Sequence, residues 1–195
     1  SNVRVICGDV MRTDLALLVK ECFGEDCSSL RIAANLPYYI TTDVLTKLMN
    51  ELPQAQSIAV MIQKEVGDKL LSSPGEDGYG PLAVMCQYHY NVVRALDVPA
   101  ACFNPPPKVD SSFMVLERLE TPYVDGGDEA VFTRLVRSAF AMRRKTLLNN
   151  LISGFALNRE QAASYLEAVG LSVQARAEEL SLEDFAKLSR QLQSL

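Results

Sequence analysis

Apolar residues recur along this chain at two periods, and the period changes partway. Val3 to Cys7 is a short β-branched run ending at Gly8-Asp9, and it predicts a strand. Leu15 to Cys22 carries apolar residues at helical spacing. Arg31 to Leu36 predicts a second strand. Thr41 or Thr42 is placed to cap a helix through Met49, with Leu45, Leu48 and Met49 on one face. Ser57 to Ile62 is a nearly continuous apolar run, the pattern of a strand buried in a parallel sheet. A helix over Lys64 to Leu71 follows, then a loop over Ser72 to Gly80. Pro81 suits the first turn of a helix through Tyr88. Tyr90 to Val98 and Ser111 to Leu119 predict two more strands. A loop, Ala100 to Asp110, joins them instead of a helix, which permits an antiparallel pair.

The pattern changes at Thr121 to Asp128, where Pro, Gly and acidic residues cluster as in a linker. Beyond it the spacing predicts helices near 129–141, 144–153, 159–168 and 181–193, and no strand. Asn158 is a plausible cap for the third, and Ser181 with Asp184 starts the fourth. Strand–helix alternation followed by helices alone predicts an α/β layer fold with a mainly parallel sheet, then a small helical domain. The division falls at 1–122 and 123–195.

Composition narrows the class. Of 195 residues, 48% are hydrophobic and 22% charged, so the chain can bury a core. The net charge of -5 excludes a chain that is basic all over, but not a local basic patch. The longest clear apolar run, Ile58 to Ile62, is far short of a membrane span. The first residues lack the layout of a secretory signal. Five cysteines, with no CxxC spacing, fit neither a disulfide scaffold nor a zinc site, and suit a reducing cytosol. A single histidine, His89, excludes any mechanism that needs two.

Four features carry candidate chemistry. Asn35-Leu36-Pro37-Tyr38 lies where a strand ends, and ligands of open α/β sheets bind beyond the carboxyl ends of strands. The tetrapeptide suits a plain turn. It also suits an exocyclic nucleobase amine, whose lone pair is delocalised into the ring. The Asn35 side-chain oxygen and a nearby backbone carbonyl can accept its two hydrogens and free the lone pair, while Tyr38 stacks on the base. No general base is needed beforehand, because the nitrogen sheds its proton only after it becomes cationic. The second feature follows FxPxPxVxS, with Phe103, Pro105, Pro107, Val109 and Ser111 at the fixed places. It is either a rigid connector or a stiff loop presenting Phe103 as a second aromatic wall. The third, Gly8-Asp9, is a turn whose carboxylate can accept from an adenine amine. Gly78 and Gly80 form no dinucleotide-binding fingerprint. The fourth runs from Phe132 to Asn150 and holds Arg134, Arg137, Arg143, Arg144 and Lys145 with no acidic residue. It reads as a phosphate-binding surface or as a solvated helix face.

The ordered set GDV (Gly8–Val10), NLPYYI (Asn35–Ile40), QKEV (Gln63–Val66), YGPLAVMCQY (Tyr79–Tyr88), FNPPPKVDSSF (Phe103–Phe113), AFAMRRKTLLNNL (Ala139–Leu151) and LSLEDFAKL (Leu180–Leu188) resembles the ribosomal RNA adenine N6,N6-dimethyltransferase family. Within it, the similarity is to the bacterial enzymes that dimethylate two adjacent adenosines near the 3′ end of small-subunit (16S) rRNA. The resemblance covers nearly the whole chain. It implies a Rossmann-like class I methyltransferase sheet followed by a small all-helical domain, with S-adenosylmethionine as donor. It implies that Asn35 and the Leu36 carbonyl hold the target amine beside Pro37, and that Tyr38 and Phe103 stack the adenine. Asp9 and the Val10 backbone, with Asn35, would line the cofactor site. Arg134, Arg137, Arg143, Arg144 and Lys145 would face rRNA phosphates. The implied partners are small-subunit rRNA and the pre-30S particle, met by a cytoplasmic monomer away from any membrane.

The chain departs from the family at its start. The family opens with a basic tail, a strand with a GxGxG loop, and a second strand ending in an acidic residue. None of these occurs in the 195 residues. The resemblance therefore implies a sheet incomplete at its N-terminus, a Val3–Cys7 strand without its neighbour, and weak or no cofactor binding by this chain alone. Other readings on the same fold are a non-catalytic RNA or ribosome binder, a mitochondrial transcription-factor relative, and a large-subunit rRNA methylase. A DNA amine methylase shares the Asn-x-Pro-Tyr logic. Retention of Asn35, Pro37, Tyr38 and Phe103 favours an enzyme over a binder. RRKTLLNNL and LSLEDFAKL favour the small-subunit target.

Overall fold

Ile58, Val60 and Ile62 alternate along one strand with half-buried Ala59 and Met61, and that strand organises the sheet. The computed structural model describes residues 2–25 and 27–195. Its strands are β1 (Arg31–Asn35), β2 (Ser57–Gln63), β3 (Tyr90–Val98) and β4 (Ser111–Arg118), in the order β1-β2-β4-β3. β1 runs parallel to β2, with Asn35 opposite Met61, and β4 runs antiparallel to β2. The sheet is thus mixed, where the apolar pattern predicted a mainly parallel one. Parallel pairs need a crossover, and the β1–β2 crossover is helix α2 (Thr41–Glu51).

Contacts divide the chain into two compact units, each built from two stretches. One comprises Ser1–Gly67 and Val93–Arg118, the other Asp68–Val92 and Leu119–Leu195. In the first, α1 (Leu15–Phe23) starts at Asp14, whose carboxylate accepts from the Leu17 amide at 2.9 Å. Glu51, at the end of α2, accepts from the Leu15 amide at 2.9 Å and pairs with Lys47. The predicted Val3–Cys7 strand does not form. That stretch lies outside the sheet, and Val5 is 90% exposed. A β-branched run becomes a strand only where a neighbour completes its ladder.

The second unit has one apolar core. α4 (Pro81–His89) supplies Ala83, Val84 and Tyr88, which pack with Phe132, Leu135, Leu151, Leu166, Phe185 and others from the C-terminal helices. The Tyr88 and Phe132 rings stack with centroids 3.9 Å apart. The helices are α5 (Glu129–Ala139), α6 (Leu147–Phe155), α7 (Arg159–Ala168) and α8 (Leu182–Leu192). Asn158 and Gln161 form a reciprocal cap for α7, as do Ser181 and Asp184 for α8. The boundaries around the α5–α6 connection differ from the predicted ones. α5 ends at Ala139 and α6 begins at Leu147, so residues 140–146 form a loop and Arg143 to Lys145 lie on no helix. Buried Asn150 explains this: its amide donates to the Ala139 carbonyl at 2.5 Å and the Met142 carbonyl at 3.5 Å. Those carbonyls are thereby withdrawn from a continuing helix. The remaining helix, α3 (Lys64–Leu71), follows β2 directly. Among the described residues no helix is long and apolar enough to cross a membrane.

Candidate active site and basic loop

β1 delivers the chain into the tetrapeptide. The Leu36 amide still donates to the Met61 carbonyl at 3.2 Å, and the buried Leu36 side chain anchors the turn. The ring of Pro37 holds φ at -60°. Its carbonyl accepts from the Ile40 amide and the Thr41 hydroxyl, both at 3.2 Å, which closes a short 3-10 turn over Tyr38–Ile40. Two acceptors are left over. Asn35 is exposed, and neither its carboxamide nor the Leu36 carbonyl makes a hydrogen bond among the described residues. The strand end therefore presents two unspent oxygens on consecutive residues. Tyr38 is half-buried, and its phenol oxygen lies 2.8 Å from the Ser111 hydroxyl. Phe103 is half-buried at the end of the Ala100–Cys102 turn.

The Gly8-Asp9 turn belongs to the same unit. Asp9 Oδ1 accepts from the Met11 amide at 2.9 Å, and Oδ2 lies 3.5 Å from exposed Arg12. The Asp9 carbonyl accepts from the Arg12 and Thr13 amides, each at 3.0 Å. The Val10 amide makes no hydrogen bond among the described residues. A carboxylate oxygen beside a free N–H matches the amine and adjacent ring nitrogen of an adenine. On this donor set the residues present fit the adenine end of S-adenosylmethionine.

A second network was not read from the sequence. Lys64, the first residue of α3, donates its ammonium to Asp97 Oδ2 at 3.0 Å, and the fully buried Ser112 hydroxyl donates to Asp97 Oδ1 at 2.6 Å. The Ser112 bond, then Lys64, holds the Asp97 carboxyl below the ordinary carboxylate range. The signal was QKEV and the double serine after FxPxPxV, which motif spacing marks without saying what each residue touches.

The basic residues lie in the other unit. All five are exposed. Arg134 has a structural bond as well: Nε and Nη2 donate to the Gly154 carbonyl at 3.1 and 2.9 Å, and the guanidinium sits 4.6 Å from the Phe155 ring centroid. Arg134 and Arg137 line a cleft of about 480 Å3 with Thr133 and Ser138. Arg143 shares a hollow with Glu76, Asp77 and Glu178. Arg144 and Lys145 form no ion pair among the described residues.

A mixed Rossmann-like sheet with an Asn-Leu-Pro-Tyr turn at a strand end, and a helical unit after it, defines a class that the comparisons make specific. A family model for ribosomal RNA adenine dimethylase matches residues 1–194. The chain belongs to the ribosomal RNA adenine dimethylase family. It is 43% identical over 195 residues to the ribosomal RNA small subunit methyltransferase A of Bacillus mycoides (strain KBAB4), covering 98% of this chain and 66% of that protein. To the protein of the same name from Bacillus cereus (strain B4264) it is 42% identical over 194 residues, with the same coverage. The chain thus spans 66% of the length of these curated relatives. Two solved structures share the fold. A dimethyladenosine transferase from Plasmodium falciparum superposes with TM-score 0.71 at 24% identity, over 85% of this chain and 67% of that one. The 23S rRNA methyltransferase ErmE gives TM-score 0.60 at 20% identity, over 94% of this chain and 80% of that one.

Proposed function

We propose that the protein transfers methyl groups to N6 of two adjacent adenosines in small-subunit (16S) rRNA, acting in ribosome biogenesis. The observation that carries this is the pair of unspent acceptors, Asn35 Oδ1 and the Leu36 carbonyl, at the end of β1. They take the two N–H bonds of the exocyclic amine and turn its lone pair out of the ring. Tyr38 and Phe103 stack the adenine. Asp9 and the Val10 amide would hold the adenine end of the cofactor. Bound S-adenosylmethionine supplies an electrophilic methyl group. The target nitrogen loses its proton after it has become cationic, so no residue of the chain needs to act as a prior base. In this reading residues 1–122 hold the chemistry and residues 123–195 face the RNA. Arg134, Arg137, Arg143, Arg144 and Lys145 meet phosphates of the pre-30S particle. The protein works as a cytoplasmic monomer.

In the full-length protein, Asn35→Ala is expected to slow single-turnover methylation of pre-bound particles by about 10²–10³-fold, the usual loss for one positioned polar group. Cofactor affinity should persist. A rate within a few-fold of wild type would overturn the amine-holding role.

A further inference from the structure

Asp110 and Ser111 stand where β4 begins, and the methyl-transfer reading assigns them nothing. Ser111 is fully buried, and its hydroxyl meets the Tyr38 phenol 73 residues away. A buried hydroxyl without a partner is costly, so this bond favours one orientation of the Tyr38 ring. Asp110 is engaged at both its acceptor groups. Its Oδ1 accepts from the Ala100 amide at 2.9 Å, and its carbonyl accepts from the Lys64 amide at 2.9 Å. The Ala100 carbonyl accepts in turn from the Phe103 amide at 3.2 Å, which closes the turn that presents Phe103. On the opposite face of β4, Ser112 is tied to Asp97 and through it to Lys64. The start of β4 is thus tied by hydrogen bonds at three consecutive residues. Two adjacent residues grip the segments that carry both aromatic side chains.

We propose that Asp110 and Ser111 are positioning residues that set the orientation and spacing of Tyr38 and Phe103, the two walls of the purine slot. The inference rests on the stacking role given to those rings above. Neither residue touches the reacting atoms: Ser111 acts through the Tyr38 hydroxyl and Asp110 through the Ala100–Phe103 turn.

The test uses the full-length protein and small-subunit particles whose rRNA carries 2-aminopurine at one target adenosine. Its fluorescence is quenched by aromatic stacking. Ser111→Ala and Tyr38→Phe remove the same hydrogen bond from opposite ends. Each is expected to raise the fluorescence of the bound base. With unmodified particles each should raise KM by about 3- to 10-fold, the usual worth of one hydrogen bond, with kcat changed less. The double variant should be no worse than either single one. Ser111→Thr, which keeps the hydroxyl, and Asp110→Asn, which keeps the acceptor oxygen, should restore the signal. Asp110→Ala should not. Should Ser111→Ala fail to fold, Tyr38→Phe reads the same bond. Additive effects, or a Tyr38→Phe protein that behaves as wild type, would overturn the proposal while the stacking reading stands. Wild-type fluorescence and KM in Tyr38→Ala would overturn the stacking reading and this inference with it.

Discussion

Tyr79 is 3% exposed and donates its phenol hydrogen to the Leu180 carbonyl at 2.9 Å. Burial, helped by the Asp184 and Glu183 carboxylates, pushes its pKa from 10 up to about 12. Burial alone pushes the Cys86 thiol from 9 up to about 12. Both groups stay protonated in the folded chain over a range where the unfolded chain ionises. Their contribution is complete below the unfolded values and is lost as pH rises through the folded ones. The urea midpoint should therefore fall steadily as pH climbs above about 9, where Cys86 begins to titrate in the unfolded chain. Tyr79→Phe should start lower, having lost a hydrogen bond, and show a shallower fall above about pH 10. Parallel curves for the two proteins would show that the phenol is not the titrating group. None of this was legible in the sequence, because Tyr79 and Leu180 meet only through tertiary packing. The place of Asn35 at the end of a strand was legible. It depends on a side chain and a strand end that are neighbours in the chain, and β1 ends at Asn35.

Among elements, the well-read ones carry their own punctuation. α7 was expected at 159–168 and forms there, because Asn158 and Gln161 cap each other within four residues. β3 likewise runs from Tyr90 to Val98 as its apolar run suggested. The Val3–Cys7 run has the composition of a strand and no ladder to join. The segment over 144–153 has helical periodicity, but Asn150 pins the preceding turn from outside the local pattern. Close approach is equally hidden. At Gly154, in α6, an added Cβ would collide with the side chain of Ser138 on α5. Gly154→Ala is expected to lower stability by about 1–3 kcal/mol through overpacking, despite its better helix propensity. The check is a double-mutant cycle by urea unfolding with Ser138→Gly, which should recover part of the loss. Additive losses would mean that the two helices separate freely.

At the scale of the whole molecule, an acidic chain confines five cations to the stretch from Phe132 to Asn150. Arg143, Arg144 and Lys145 stand together on the 140–146 loop, exposed. If they meet phosphates, replacing all three by Gln should weaken binding to small-subunit particles. It should also flatten the slope of log affinity against log salt by about 0.7–0.9 per lost contact. An unchanged affinity and slope would leave them as solvated loop charges. A lost affinity with an unchanged slope would point to misfolding, which circular dichroism would reveal. A change of period near Thr121, from mixed strands and helices to helices alone, was visible in the sequence. That α4 joins the core of the C-terminal helices was not, since its apolar residues look the same whichever partner buries them.

That membership of α4 bears on how the chain is made. The backbone passes from one unit to the other after Gly67, after Val92 and after Arg118. On a ribosome, the first unit can close only once the residues up to Arg118 have emerged. The second begins with Asp68–Val92 and must wait for helices that end at Leu192. Until residue 132 has been made, the Tyr88 ring of α4 lacks the Phe132 ring that stacks on it. No single cut of the backbone separates the units with both intact. The chain is therefore committed to making its two halves in interleaved pieces, with the earlier-made piece of the second held in waiting for its last helix.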